Sequence, residues 1–305
     1  MRYRQLGSSG LTVSEVGLGC NNFGWRIDLE KTRVVVDAAI DAGITLLDTA
    51  NSYGNRGESE EFLGEVLKGR RDKVVVATKF GSDMGEGPDV ARASRWYVRR
   101  AVEESLRRLK TDHIDLYQLH RPDGITPVEE TLAALTELVH EGKVLYIGSS
   151  NFAAWQVVEA DWTARSRTGL ERFVSAQNHY SLLERAAEAE LLPACTAREV
   201  GVLPFFPLAN GLLSGKYRRS HPAPEGTRMA GRPIDESTYD RLETFEKFAA
   251  ERGRSLLDLA FAGLLAAPAV SSVIAGATSA EQIKANASAG DWQLDDADME
   301  ALARL

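Results

Sequence analysis

The chain has 305 residues, with 44 acidic against 36 basic side chains and a formal net charge of -8. The lysines and arginines are scattered rather than gathered into a basic stripe, which argues against a nucleic-acid partner. Cys20 and Cys195 are the only cysteines and belong to no metal-ligand spacing or CxxC pair, so no metal site or disulfide framework is expected, and a reducing compartment is the default.

The first residues, YRQLGSSGLTV, contain no apolar stretch of signal length and read as two short strands around a Gly/Ser turn. They come too early to join a larger sheet and are placed as a hairpin closing its bottom. Eight strand-like runs follow: EVGLG (15 to 19), ITLLD (44 to 48), KVVVAT (73 to 78), HIDLYQL (113 to 119), VLYIGS (144 to 149), RFVSAQ (172 to 177), GVLPFF (201 to 206) and SSVIAG (271 to 276). They are β-branched and apolar, as buried parallel strands are, and amphipathic helical stretches separate them. In WYVRRAVEESLRRLK, for example, Val98, Ala101, Val102, Ser105, Leu106 and Leu109 fall at steps of three and four. Such alternation is the mark of βαβ units and predicts an α/β fold, a (β/α)8 TIM barrel occupying residues 1 to 305 as one domain. The one long connection, from about Pro207 to Asp235, is expected to be functional. The longest apolar run, LLDLAFAGLLAAPAV, carries Asp258 and Pro268, so a soluble, cytoplasmic protein is expected.

Asp48, Tyr53, Lys79 and His120 stand at or just beyond the ends of strand-like runs. In a barrel those ends share the C-terminal rim, where such folds place their chemistry. Reduction of a carbonyl by hydride builds negative charge on oxygen, and a hydroxyl that delivers a proton at the same time eases the step. A tyrosine, with an ordinary pKa of about 10, needs help, and an ammonium against the phenol oxygen favours the phenolate. Lys79 is the candidate for that ammonium and Asp48 for the carboxylate that keeps it charged. His120 is placed to orient the carbonyl or share the proton relay as a neutral imidazole.

The stretch GITLLDTANSYGNRGESEEFLG, with KVVVATKFG and DHIDLYQLHRPD after it, resembles the aldo-keto reductase superfamily over nearly the whole chain. The resemblance implies a barrel that reduces aldehydes and ketones with NADPH, and places the family's catalytic tetrad on Asp48, Tyr53, Lys79 and His120 with Tyr53 as the acid. It puts Ser150, Asn151 and Gln177 on the nicotinamide carboxamide and Phe205, where the family has tyrosine, against the nicotinamide ring. FFPLANGLLSGKY is similar to the family's pyrophosphate segment, which implies that role for Leu208, Gly211, Leu213, Gly215 and Lys216. Gly276, Thr278, Gln282 and Asn286 match the segment holding the adenosine. Two positions depart from the pattern: Ala285 stands where the family often has a glutamate for the adenine amino group, and Thr278 where some branches carry an arginine for the 2′-phosphate. Arg228 aligns with another phosphate ligand and Lys216 is near it, so NADPH is expected, with NADH as the alternative.

GLGCNNFG is not a dinucleotide fingerprint, since its third glycine position holds Asn22, and SGKY is not a P-loop, since Tyr217 stands where Ser or Thr is required. Phe23, Trp25, Trp96 and Arg121 are candidates for the substrate wall around a small carbonyl compound. Two other roles stay open, a cofactor-sensing regulatory subunit of the same fold and an NAD(P)-dependent sugar dehydrogenase. Oligomeric state is not readable from the sequence.

Overall fold

The computed structural model describes residues 1–87, 90–219 and 221–305. Strands β1 (Tyr3–Gln5) and β2 (Thr12–Ser14) pair antiparallel as the predicted hairpin. Each of the eight predicted runs then supplies a strand: β3 (Val16–Gly19), β4 (Leu46–Asp48), β5 (Val75–Phe80), β6 (Ile114–Leu119), β7 (Val144–Ser150), β8 (Phe173–Gln177), β9 (Gly201–Val202) and β10 (Val273–Gly276). They pair in parallel in the order β10-β3-β4-β5-β6-β7-β8-β9. The two ends of that order also meet. Val202 N–H donates to Ala269 at 2.7 Å, Ser271 N–H to Val202 at 3.0 Å and Ile274 N–H to Pro204 at 3.1 Å, which closes a (β/α)8 barrel. Strand β9 is much shorter than the run from 201 to 206 predicts. Pro204 has no N–H to donate toward β10, so the regular pairing ends at Val202, although the Leu203 and Phe205 N–H groups still donate to the Ala176 and Asn178 carbonyls, both at 3.0 Å, and a bridge joins Phe205 to His179.

Helices α1 (Leu29–Asp41), α2 (Tyr53–Val66), α3 (Arg95–Leu109), α4 (Val128–His140), α5 (Ala154–Ser166) and α6 (Leu191–Arg198) link successive barrel strands. Two helices, α7 (Glu236–Ala250) and α8 (Leu256–Leu265), lie between β9 and β10, and α9 (Ala280–Ala289) and α10 (Asp296–Ala303) end the chain. Helix α3 buries the six residues its spacing predicts; the Ser94 side chain caps its start, and Lys110, left-handed at φ 53°, terminates it.

Side chains alternate along each strand, so a residue facing the barrel interior is followed two positions later by another. Leu46, Ala77, Leu116, Leu203 and Ile274 form an apolar layer with Leu6 and Val13 of the hairpin. The hairpin thereby plugs the N-terminal end of the barrel. Two residues further along β4, β5 and β6 the interior turns polar, at Asp48, Lys79 and Gln118, all buried. Ser150 and Gln177, register partners at the ends of β7 and β8, are buried with them. A buried polar layer therefore sits on an apolar floor, facing the C-terminal rim. No helix among the described residues is long and apolar enough to cross a membrane.

Candidate active site

Lys79 is fully buried. Its Nζ donates to Asp48 Oδ2 at 2.7 Å and to the Thr49 carbonyl at 2.8 Å, and reaches Tyr53 Oη at 3.5 Å. The other oxygen of Asp48, Oδ1, accepts from Gln177 Nε2 at 2.8 Å and from Gln118 Nε2 at 3.4 Å. A carboxylate only accepts, so it fixes which way these amides face. Gln177 also lines the central cavity, and with its nitrogen committed to Asp48 it has its oxygen left to offer there. The His120 ring stands edge-on to Tyr53, centroids 5.9 Å apart, and its Nδ1 lies 2.9 Å from Ser82 Oγ.

Tyr53 begins α2, but Gly54, Asn55, Arg56 and Gly57 have φ of 58°, 45°, 65° and 128°, so the regular helix starts only after them. This left-handed stretch lets the chain turn sharply out of β4 and leaves the phenol at the rim. Gly57 can hold its φ because it has no Cβ; one placed there would lie 2.6 Å from Arg108 Cδ.

Burial works against the Lys79 ammonium, but the Asp48 charge and the Tyr53 oxygen outweigh it and raise its pKa. The phenol behaves differently from the sequence expectation. Lys79 does pull the Tyr53 pKa down, yet burial is the larger influence and leaves it above its ordinary 10.0. Tyr53 is therefore a protonated phenol at neutral pH, the form a proton donor must have. Burial, followed by the charges of Lys79 and Arg121, brings His120 down to about 3, so the imidazole is neutral. Both cysteines are free and buried, and burial pushes the thiols of Cys20 and Cys195 up.

These groups open onto a cavity of about 600 Å³ whose wall includes Asp48, Tyr53 and His120, with Lys79 behind them. All the residues that the sequence links to a cofactor line it except Leu213, which is buried in the apolar cluster around α7 and α8, and Gly215. The wall suits an extended dinucleotide. Phe205 stacks one face on His179 at 5.5 Å while contributing to the cavity wall. A Cβ on Gly276 would come within 3.2 Å of Asn22 Nδ2 and 3.3 Å of Asn21 Oδ1, so a larger residue there would crowd the two asparagines on the cavity wall. Lys216 and Arg228 supply positive charge, and Arg228 is held by Asn22 Oδ1 at 3.1 Å and Asn21 Oδ1 at 3.4 Å. Thr278 is occupied locally, its N–H donating to Gln282 Oε1 at 2.8 Å.

The expected substrate wall is only partly there. Phe23 is core, Trp25 is 69% exposed, and Trp96 is 66% exposed on α3. Of the four, Arg121 alone lines the cavity. The sequence reading passes over Arg26, Ser82 and Gln118. Gln118 had a signal, being the polar interior position two residues after Leu116. Arg26 had none, because it meets the cavity by bonding to the Gly226 carbonyl at 2.5 Å across a sequence gap of 200 residues.

The sequence profile of the aldo/keto reductase family matches residues 15–305. The chain is 42% identical to the uncharacterized oxidoreductase YrpG of Bacillus subtilis, over 97% of this chain and 93% of that protein. It is 36% identical to a probable voltage-gated potassium channel subunit beta of Oryza sativa, over 95% and 92% respectively. With L-glyceraldehyde 3-phosphate reductase of Escherichia coli the identity is 35%, over 95% and 87%. Barrel, rim chemistry and a match of this length agree: the chain belongs to the aldo/keto reductase family and is an oxidoreductase.

Proposed function

We propose that the protein reduces an aldehyde or ketone to the alcohol with NADPH, in the cytoplasm, and that Tyr53 gives the proton. The observation that carries this reading is the placement of the phenol. Tyr53 Oη lies 3.5 Å from an ammonium that Asp48 holds at 2.7 Å, on a cavity wall it shares with His120. A bound reduced nicotinamide supplies the hydride that goes to the carbonyl carbon. The chain's own residues do the rest. The Tyr53 O–H bond breaks as its proton passes to the carbonyl oxygen, and the phenolate left behind is stabilised by Lys79 until solvent reprotonates it. Nδ1 of the neutral His120 is engaged by Ser82 Oγ, and in the tautomer in which that hydroxyl donates, the ring proton is on Nε2 and can be directed at the same oxygen. Gln177, Ser150 and Asn151 are assigned to the carboxamide, and Lys216 and Arg228 to phosphate. Local use of Thr278 and the apolar Ala285 keep NADH as the alternative cofactor.

The test follows loss of NADPH, and separately NADH, absorbance with a reactive aromatic aldehyde, using wild type and Tyr53→Phe. The variant is expected to lose roughly a hundredfold to ten-thousandfold in kcat while still binding cofactor. Full activity in Tyr53→Phe refutes the assignment. The name of the rice relative favours a second reading, a cofactor-sensing regulatory subunit, whose signature is tight NADPH binding, no turnover of any aldehyde and a co-purifying partner.

A further inference from the structure

The cavity wall carries four cationic side chains, Arg26, Arg121, Lys216 and Arg228, and one carboxylate, Asp48, which Lys79 already neutralises. In a chain of net charge -8 this positive charge is local and fits an anionic occupant. Three of the four cations gather on one side. Lys216 and Arg228 come from the connection after β9, Arg26 from the loop after β3, and the two loops are joined where Arg26 bonds Gly226 and Arg228 bonds Asn21 and Asn22. Strands β9, β10 and β3 are neighbours around the closed barrel, so these cations share the region assigned above to the cofactor phosphates.

Arg121 stands on the other side. It follows β6, which lies four places from β10 in the eight-stranded order and hence across the barrel from it. It is exposed, lines the cavity, and adjoins His120 in sequence. No ion pair among the described residues involves it. The nearest acid in sequence, Asp123, spends its oxygens on the N–H groups of Ala93, Ile125 and Thr126 and on the Thr126 hydroxyl. A cofactor whose phosphates lie by Arg228 leaves Arg121 to the substrate.

We propose that Arg121 selects a carbonyl substrate bearing an anionic group, the guanidinium pairing with a phosphate or carboxylate while the carbonyl oxygen lies between Tyr53 and His120. This rests on the reductase reading above and adds the substrate class to it. Guanidinium meets either anion with two parallel N–H donors, and its long flexible stem suits a charge some distance from the reacting carbon.

Two pairs of aldehydes test it, each differing by the anion: glyceraldehyde against glyceraldehyde 3-phosphate, and benzaldehyde against 4-carboxybenzaldehyde. The anionic member of at least one pair is expected to show a KM roughly tenfold or more lower, as a charge-assisted hydrogen bond supplies. The pair with the larger gain tells phosphate from carboxylate. Arg121→Gln should erase the gain mainly through KM, and Arg121→Lys should restore part of it. Equal KM values within both pairs, or a gain that survives Arg121→Gln, overturns this inference while the reductase reading stands. No turnover of any of the four, with Tyr53→Phe indistinguishable from wild type, overturns the reductase reading and this inference with it.

Discussion

Asp48 holds three side chains at once, Lys79 through one oxygen and Gln177 and Gln118 through the other. The carboxylate that keeps the proton-relay lysine charged thus also orients an amide assigned to the cofactor. Gln177→Glu would put a second acid at 2.8 Å from Asp48 Oδ1, and two carboxylates that close cannot both ionise without cost. We expect cofactor affinity, followed by quenching of tryptophan fluorescence, to fall at least several-fold in that variant; an unchanged Kd would detach Gln177 from both roles. His120 gives a prediction about stability. Its pKa is about 3 in the folded protein against 6.5 ordinarily, so below the ordinary value the unfolded chain binds the extra proton. Stability therefore falls as pH drops through 6.5, and between about pH 7 and 5.5 the loss from this one group is about 1 kcal/mol, in a range where most carboxylates stay ionised. Urea unfolding at the two pH values should show that loss in wild type and a smaller one in His120→Asn. Equal losses would mean the imidazole is not held neutral.

At the scale of elements, α2 and β5 must keep Tyr53 and Lys79 in register, and a buried carboxylate, Glu60, ties them together from behind and pairs with an arginine on α3. Glu60 on α2 accepts from the Thr78 hydroxyl on β5 and from Arg108 Nε on α3, both at 2.6 Å. Glu60 is fully buried and Arg108 is only 6% exposed. Removing one partner strands a charge, so Arg108→Met should cost about 3–5 kcal/mol, and adding Glu60→Gln should recover much of it. Denaturant midpoints decide: a double variant no more stable than the single would show that the charge is not the cause. Glu60 and Thr78 were not legible as partners in the sequence, since nothing local says which outward face of a strand meets which helix. The strand ends were legible. Runs such as ITLLD and HIDLYQLH are mostly apolar and end in a polar residue, so Asp48, Lys79 and His120 could be placed at one end of the barrel. Where the reading failed, a local signal was passed over or a surface position was taken for a wall. Pro204 cut β9 short, and Trp96, in the first turn of the helix that the spacing predicts, stands 66% exposed.

The whole molecule repels anions, with a net charge of -8, yet its cavity concentrates cations. Such a site focuses field at the ligand while the remaining surface opposes approach, and both effects are screened by salt. Arg228 is desolvated enough for its pKa to be lowered, burial coming first and the Arg26 charge second. A guanidinium in that setting, with no ion-pair partner among the described residues, gains from any phosphate that approaches it, and NADPH differs from NADH by the 2′-phosphate alone. If Arg228 and Lys216 meet that group, NADPH affinity must fall more steeply with ionic strength than NADH affinity. Titrating both cofactors calorimetrically at low and high salt measures the two slopes, and Arg228→Met should bring them closer while leaving NADH binding the less affected. Parallel slopes in wild type would place the 2′-phosphate in solvent, and Thr278 and Ala285 would then describe a site built without regard to it.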